Sequence, residues 1–409
     1  MPVLLEEDMN LKLPKMHKVR QSFSDVKLEN VAQTVKDEIQ KRTIREKILP
    51  GQRIAVAVGS RGIKNSFLIV KTIIEELKGL GADPYIVSAM GSHGNGTEKG
   101  QREILEGYGI TKENLGVEIV TTVDVVKIGK TSKGFDVYFD RAAYEADLVI
   151  PVNRVKLHTD FVGELQSGLC KMLVIGLGNQ IGCSSIHEED PDVFADILEE
   201  AAGIIIKKAN IGFGVAILEN AYDETLMIEA VPAENIISRE KELVRIAKEN
   251  MPILMIPDFD ILVVEEIGKN ISGAGYDPNV IGRSSVLKKY VMKIPSFKRM
   301  ILLDITRESH GNGIGVGLFD VITRNVFEKL DMTSMYANAI ACKCIDDVKI
   351  PIVADSEDEA IRVAIKSCRG IDRENLRIVK MKNTLALEHI YVSEALLDIA
   401  KGNDRLSIV

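Results

Sequence analysis

The sequence predicts an α/β protein of two α/β domains, with mainly parallel sheets and an active-site cleft between the domains. Three observations lead there. Short apolar runs of strand length alternate with amphipathic stretches of helical length, the rhythm of a parallel sheet with helices on both faces. The chain has 409 residues, more than one core usually organises. A helical stretch over 234–249 runs out before Pro252, and beyond it a second, smaller rhythm begins. The expected division is 1–250 as a cofactor-binding domain and 251–390 as a C-terminal domain. A last helix, within 391–409, is expected to pack back on the first.

Taken in order, 28–48 is charged and periodic enough for an amphipathic helix ended by Pro50-Gly51. Residues 53–58 and 84–89 read as strands flanking a helix over 66–79. Thr97 is a plausible N-cap for a helix over 97–108. Short strands follow at 117–121 and 135–139, then the apolar run 147–152. A helix over 191–208 starts at Pro191, where a proline suits the first turn. Residues 214–219 and 226–230 form a strand pair around a polar turn. In the second domain, 260–266, 300–305, 352–354 and 376–380 read as strands. Helices are expected over 321–330, 334–344, 356–367 and 392–401.

Composition narrows the function classes. Hydrophobic residues make up 45% and charged residues 27%, an ordinary balance for a soluble globular protein with a sizeable core. A net charge of −8 gives no electrostatic reason to bind nucleic acid or an anionic membrane. No apolar run approaches the roughly 18–20 residues of a membrane span, and the N-terminus does not read as a signal peptide. Five cysteines, odd in number and irregular in spacing, point to a reducing cytoplasm rather than a disulfide framework.

The stretch 151–190 follows the buried strand over 147–152 and holds His158, Lys171 and His187. Reactive groups at the carboxyl end of a parallel strand are where open α/β sheets place ligands. Lys171 stands in an almost wholly apolar segment, and burial of an ammonium makes a lysine nucleophilic; a snorkelling lysine at an element end is the plainer alternative. His158 precedes Asp160, whose carboxylate could set its tautomer. His187 follows a small-residue loop and precedes three acids, as a metal ligand or part of a helix start. Upstream, Gly59-Ser60-Arg61-Gly62 follows a strand, where backbone N–H groups and the Arg61 guanidinium suit a phosphate or carboxylate; a solvated turn is the alternative. His93 lies in Ser92-His93-Gly94-Asn95-Gly96, which recurs as Ser309-His310-Gly311-Asn312-Gly313. Gly176-Leu177-Gly178 misses dinucleotide-fingerprint spacing, and no H-E-x-x-H or C-x-x-C is present.

Arg61, His93, His158, Lys171 and His187, in this order, resemble the nickel-pincer lactate racemase family and its hydroxyacid racemase and epimerase relatives. The resemblance implies that Lys171 is covalently joined to a pyridinium mononucleotide whose two sulfurs and one ring carbon hold nickel, with His187 as the remaining ligand. His93 and His158 would be the acid/base pair. Ser60 and Arg61 would contact the cofactor, and Arg61, Lys269, Arg283 and His310 the substrate. It further implies inversion of a 2-hydroxy acid by hydride transfer, with cofactor-making enzymes needed for the loaded form. The chain departs from the pattern in two places: Val58-Gly59-Ser60 stands where lactate-specific members carry an acid, and the interval from His158 to Lys171 is longer. Two other readings stay open, a zinc hydrolase using His93, His158 and His187, and a non-catalytic protein that captures a small carboxylate. Lactate, malate and sugar acids are all open as substrates, and the sequence does not indicate an oligomeric state.

Overall fold

The first strand, β1 (Met16–Gln21), does not join the strands that follow it; it pairs antiparallel with His389–Ser393, near the other end of the chain. The computed structural model describes residues 4–60, 62–186 and 188–409. They fall into two compact units, Ser24–Met251, and Met1–Phe23 together with Pro252–Val409.

In the unit Ser24–Met251 the strands are β2 (Arg53–Val58), β3 (Asp83–Ser88), β4 (Ile119–Val120), β5 (Val125–Lys130), β6 (Asp136–Asp140), β7 (Leu148–Arg154), β8 (Phe213–Glu219) and β9 (Thr225–Pro232). Six of them form one sheet in the order β4-β3-β2-β7-β8-β9, parallel throughout except for the antiparallel edge strand β9. β5 and β6 form a separate antiparallel hairpin. β2 is buried at every position after Arg53, as a strand covered on both faces must be, and so it reads as an unbroken apolar run. Ile54, Val56, Val58, Ile86, Ile150 and Val152 face helices Val31–Gln40 and Ser66–Gly79 in one core. The chain leaves β2 toward β3 and β4 and later returns to β2's other side as β7. β2 is therefore a switch point of the sheet, and crevices open beyond the carboxyl ends of strands at such points.

The second unit contains β10 (Ile261–Ile267), β11 (Arg299–Ile305), β12 (Val321–Thr323), β13 (Ile352–Ala354), β14 (Ile378–Met381), β15 (His389–Ser393) and β16 (Leu406–Ile408). Its eight-stranded sheet runs β13-β12-β11-β10-β14-β15-β1-β16, parallel from β13 to β14 and antiparallel beyond. Two expectations are corrected here. The opening residues belong to this unit and not to 1–250, because β1 completes its sheet between β15 and β16. The chain end within 391–409 stays in the same sheet as the end of β15, the short helix Leu397–Lys401 and β16, rather than packing back on the first domain.

Three helices also differ from the expectation. The helix over 28–48 is two, Val31–Gln40 and Arg42–Arg45, because Lys41 leaves the helical region at φ −54°, ψ 134°. The stretch 321–330 is β12 followed by helix Arg324–Lys329, with Thr323 capping it by accepting the Val326 N–H. β15 occupies the start of the helix expected over 392–401. Thr97 does cap its helix, accepting the Gly100 N–H at 3.1 Å. No single helix among the described residues is long and apolar enough to cross a membrane.

Candidate active site

Three segments leave the carboxyl ends of β2, β3 and β7 and pack on one another. β2 runs into Gly59-Ser60, β3 into the loop 89–97, and β7 into a long excursion that ends at the helix Leu169–Gly176. The Gly91 N–H donates to the Gly176 carbonyl at 3.0 Å. A Cβ at Gly59 would stand 3.2 Å from the Met172 methyl, and one at Gly91 3.1 Å from the Ile175 carbonyl. Ser92 and Cys183 meet through Oγ and Sγ at 3.4 Å. The glycines here let three backbones approach at van der Waals distance.

The excursion after β7 explains the long interval between His158 and Lys171. Lys156 and Ser167 exchange two backbone hydrogen bonds, N to O at 2.8 and 3.1 Å, closing residues 157–166 into a loop. Buried Gln166 spans that loop, accepting from the His158 N–H at 2.8 Å and donating to the Gly163 carbonyl at 3.2 Å. The loop turns back so that His158 Nε2 lies 2.5 Å from Lys171 Nζ. The Asp160 backbone N–H donates to Nδ1 of the same ring at 3.0 Å, so it is the main chain of Asp160, and not its carboxylate, that orients the ring. Phe161 stacks on the imidazole, with centroids 4.3 Å apart. An Nδ1 that accepts holds the neutral ring's proton on Nε2, and that proton can be donated to Lys171 only when the amine is unprotonated.

His93 is half-buried, and its Nδ1 is hydrogen-bonded to Ser60 Oγ. The Ser60 carbonyl in turn accepts the Tyr108 hydroxyl at 2.8 Å. Ser60 thus holds the ring of His93. Arg61 and His187 lie outside the described residues.

After Lys171 the helix opens into a π-helical turn, Met172–Gly176, a distortion that often accompanies functional positions. The next helix, Asn179–Ile186, diverges from Leu169–Gly176 by 107°. Asn179 takes φ +50° at the bend, and its Nδ2 donates to Asp140 Oδ2 at 2.8 Å. Burial pushes the Asp140 carboxyl up to about 6, against the hydrogen bonds from Ala143 and Asn179. Gly176 and Gly178 serve packing rather than phosphate: a Cβ would meet the Ala89 carbonyl at 2.8 Å and the Val174 carbonyl at 2.4 Å respectively.

Residues 3–191 match the family model described as the lactate racemase N-terminal domain. That stretch of the chain is thus similar to the lactate racemase N-terminal domain. The structure of the lactate racemase apoprotein from Thermoanaerobacterium thermosaccharolyticum superposes with a TM-score of 0.55 at 13% identity, over 90% of this chain and 93% of that one, a likeness of fold. No curated protein matches the chain in a sequence comparison.

The second-unit candidates separate. The Lys269 Nζ donates to the Gly273 carbonyl at 2.6 Å and to Asn338 Oδ1 at 2.8 Å, just beyond the carboxyl end of β10. Its N–H donates to Ser309 Oγ at 2.8 Å, and Ser309 meets Thr306 at 2.8 Å. The exposed His310 follows at φ +47°. Arg283 is held differently. Its guanidinium pairs with Asp320 at 2.7 Å, donates to the Leu318 and Lys298 carbonyls at 3.1 Å each, and covers the Phe297 ring at 4.8 Å. That arrangement clamps a loop and leaves Arg283 a poor substrate ligand.

Proposed function

We propose that the protein is a racemase or epimerase that inverts a 2-hydroxy acid, with Lys171 as the attachment point of a nickel-pincer nucleotide. The observation that carries this reading is the Lys171–His158 contact at 2.5 Å. An amine that accepts a neutral Nε2–H is held unprotonated, and the unprotonated state is what forming a covalent bond to a carboxyl-type carbon needs. The residues therefore fit the group. Lys171 would tether it, His187 would be the protein's nickel ligand, and Ser60 and Arg61 would contact it. When bound, that group supplies a reversible hydride acceptor for the substrate's α-carbon.

The chain's own residues handle the proton. Removing the α-hydrogen as hydride requires that the hydroxyl proton leave as well, and imidazole titrates near working pH, so it can take and return that proton. His158 is held for this by Asp160 and Gln166, and His93 by Ser60. Two rings allow a base on either side of the planar keto acid. Arg61 is the cation proposed for the substrate carboxylate, which must stay anchored while the α-carbon inverts. The reading places the protein in a reducing cytoplasm, in keeping with five cysteines odd in number and irregular in spacing.

The zinc reading is less well supported. It leaves Lys171, whose amine meets His158 Nε2 at 2.5 Å, without a role.

The test is expression in a host that makes the cofactor, followed by mass spectrometry of the Lys171 peptide and racemisation assays on a panel of chiral 2-hydroxy acids. The expected result is a covalent mass increment on Lys171 and racemisation of at least one acid, both lost in Lys171→Ala. An unmodified Lys171 peptide from such a host would sink the proposal.

A further inference from the structure

Lys171 projects from the first turn of the helix that begins at Leu169, and the group that caps this turn comes from outside the site. The local cap position is Gly168, which has no side chain to offer and no room for one: a Cβ there would stand 2.5 Å from the carboxyl of Glu240. Glu240 belongs to the helix Ile236–Asn250, on the face shared with Ile236, Leu243, Val244 and Ala247. It is 0% exposed. Its Oε2 accepts the Cys170 N–H at 2.8 Å, across 70 residues of sequence. On the opposite side, Asn153 Nδ2 at the end of β7 donates to the Gly168 carbonyl at 2.8 Å. The turn that leads into Lys171 is gripped from both sides.

A carboxyl at a core position of an amphipathic helix is costly to bury. Glu240 Oε1 makes no hydrogen bond of ordinary geometry among the described residues, and burial outweighs the bonds from Cys170 and Leu169 in pushing the carboxyl up, so the burial is not fully compensated. An aliphatic residue at 240 would complete the apolar face without that penalty. Helix starts leave N–H groups in need of an acceptor, and this one is served by a carboxyl that the fold holds in place at a net expense.

We propose that Glu240 is a positioning residue for Lys171, capping from a distant helix the turn that carries it and so fixing where the amine meets His158. The inference rests on the reading of Lys171 as the reactive amine.

The experiment measures acylation of Lys171 by acetic anhydride in the apo-protein at pH 7, relative to Lys99, whose side chain is 88% exposed. Wild type is compared with Glu240→Gln, which keeps an acceptor oxygen, and with Glu240→Leu, which has none. Without its cap the turn releases Lys171 from His158, and the amine becomes an ordinary protonated lysine. The Lys171/Lys99 ratio is therefore expected to fall at least fivefold in Glu240→Leu and to stay within twofold of wild type in Glu240→Gln. A ratio unchanged in Glu240→Leu overturns the inference, and so does a fall in Glu240→Gln as deep as in Glu240→Leu. If Glu240→Leu does not fold, Glu240→Asp, one methylene too short to reach Cys170, replaces it with the same expected fall and the same overturning result. The Lys171 mass increment in the loaded protein is read separately. A ratio that responds to Glu240 while no increment forms supports this inference and sinks the cofactor reading; an increment with an unresponsive ratio does the reverse.

Discussion

Lys171 Nζ and His158 Nε2 lie 2.5 Å apart, while Nδ1 of that imidazole accepts the Asp160 N–H at 3.0 Å. The ring can therefore hold its proton on the side that faces the amine, and it does so from a loop closed by Lys156 and Ser167. One histidine thus prepares the lysine and is itself placed to work on the substrate.

The two roles separate in a mutant. His158→Ala removes a proton acceptor but leaves the Lys171 amine in place. Loss of a positioned acid/base group lowers turnover on the order of 10²–10⁴-fold. Normalised to the fraction of Lys171 peptide that carries the mass increment in protein purified from a cofactor-making host, racemisation should fall by that much. Equal activity with and without the imidazole would remove His158 from the mechanism.

Ser60 gives His93 a neutral hydrogen-bond partner at Nδ1. Ser60→Ala removes one hydrogen bond from Nδ1, worth roughly 1 kcal/mol, and should lower kcat several-fold with little change in KM. Ser60→Asp should act on pH instead. A carboxylate beside an imidazole favours the imidazolium, so the ring's pKa rises. The basic form of His93 would then appear at higher pH, and the acid limb of the pH–rate profile should move upward. A limb that stays put would mean that the Asp side chain does not meet the ring, or that His93 is not the base.

Much of the scaffold was legible because parallel strands covered on both faces appear as apolar runs; β2, β7 and β10 needed nothing more. What escaped the sequence depends on distant pairing. β12 is three residues long and runs straight into a helix, so Val321-Ile322-Thr323 reads as that helix's start until β11 and β13 are seen beside it. No element is expected at 16–21 from sequence alone, because β1 pairs only with β15 and β16 from the other end of the chain. At the site, the lysine and histidines carried recognisable chemistry, but their supports did not. Glu240 occupies one core position in a charged helix, and only the fold shows Cys170 beneath it. Gln166 and Tyr108 are ordinary residues whose partners are set by loop closure. Arg283 offered a free guanidinium on paper, and Asp320 takes it in the fold.

Close approach at Gly178 should be intolerant of a methyl group. A Cβ there would lie 2.4 Å from the Val174 carbonyl, inside the helix that follows Lys171. Backbone atoms cannot yield cheaply, so Gly178→Ala should cost on the order of 1–3 kcal/mol and reduce Lys171 modification. Gly107 offers the control: it ends the helix Glu98–Gly107, with nothing within 4 Å of its Cβ position. Gly107→Ala should be neutral or stabilise by up to about 1 kcal/mol. Thermal unfolding of the two variants should bracket wild type, and matching losses would refute the packing argument.

Glu240 also predicts how stability varies with pH. Burial is the main cause that pushes its carboxyl up to about 7, opposed by the hydrogen bonds from Cys170. In the unfolded chain a glutamate titrates near ~4.3. The folded state therefore holds a proton that the unfolded state releases between those values, so folding is favoured at low pH. That contribution is lost as pH rises from ~4.3 through about 7, and the whole difference corresponds to about 4 kcal/mol. Glu240→Gln has no such titration. Denaturant unfolding at pH 5 and pH 8.5 should show wild type losing about 3 kcal/mol more than the variant over that interval. The variant should thus gain on wild type as pH rises, whatever the offset between them at pH 5. Parallel losses in the two proteins would mean that the carboxyl stays ionised throughout, and that burial at position 240 does not hold the proton that its surroundings imply.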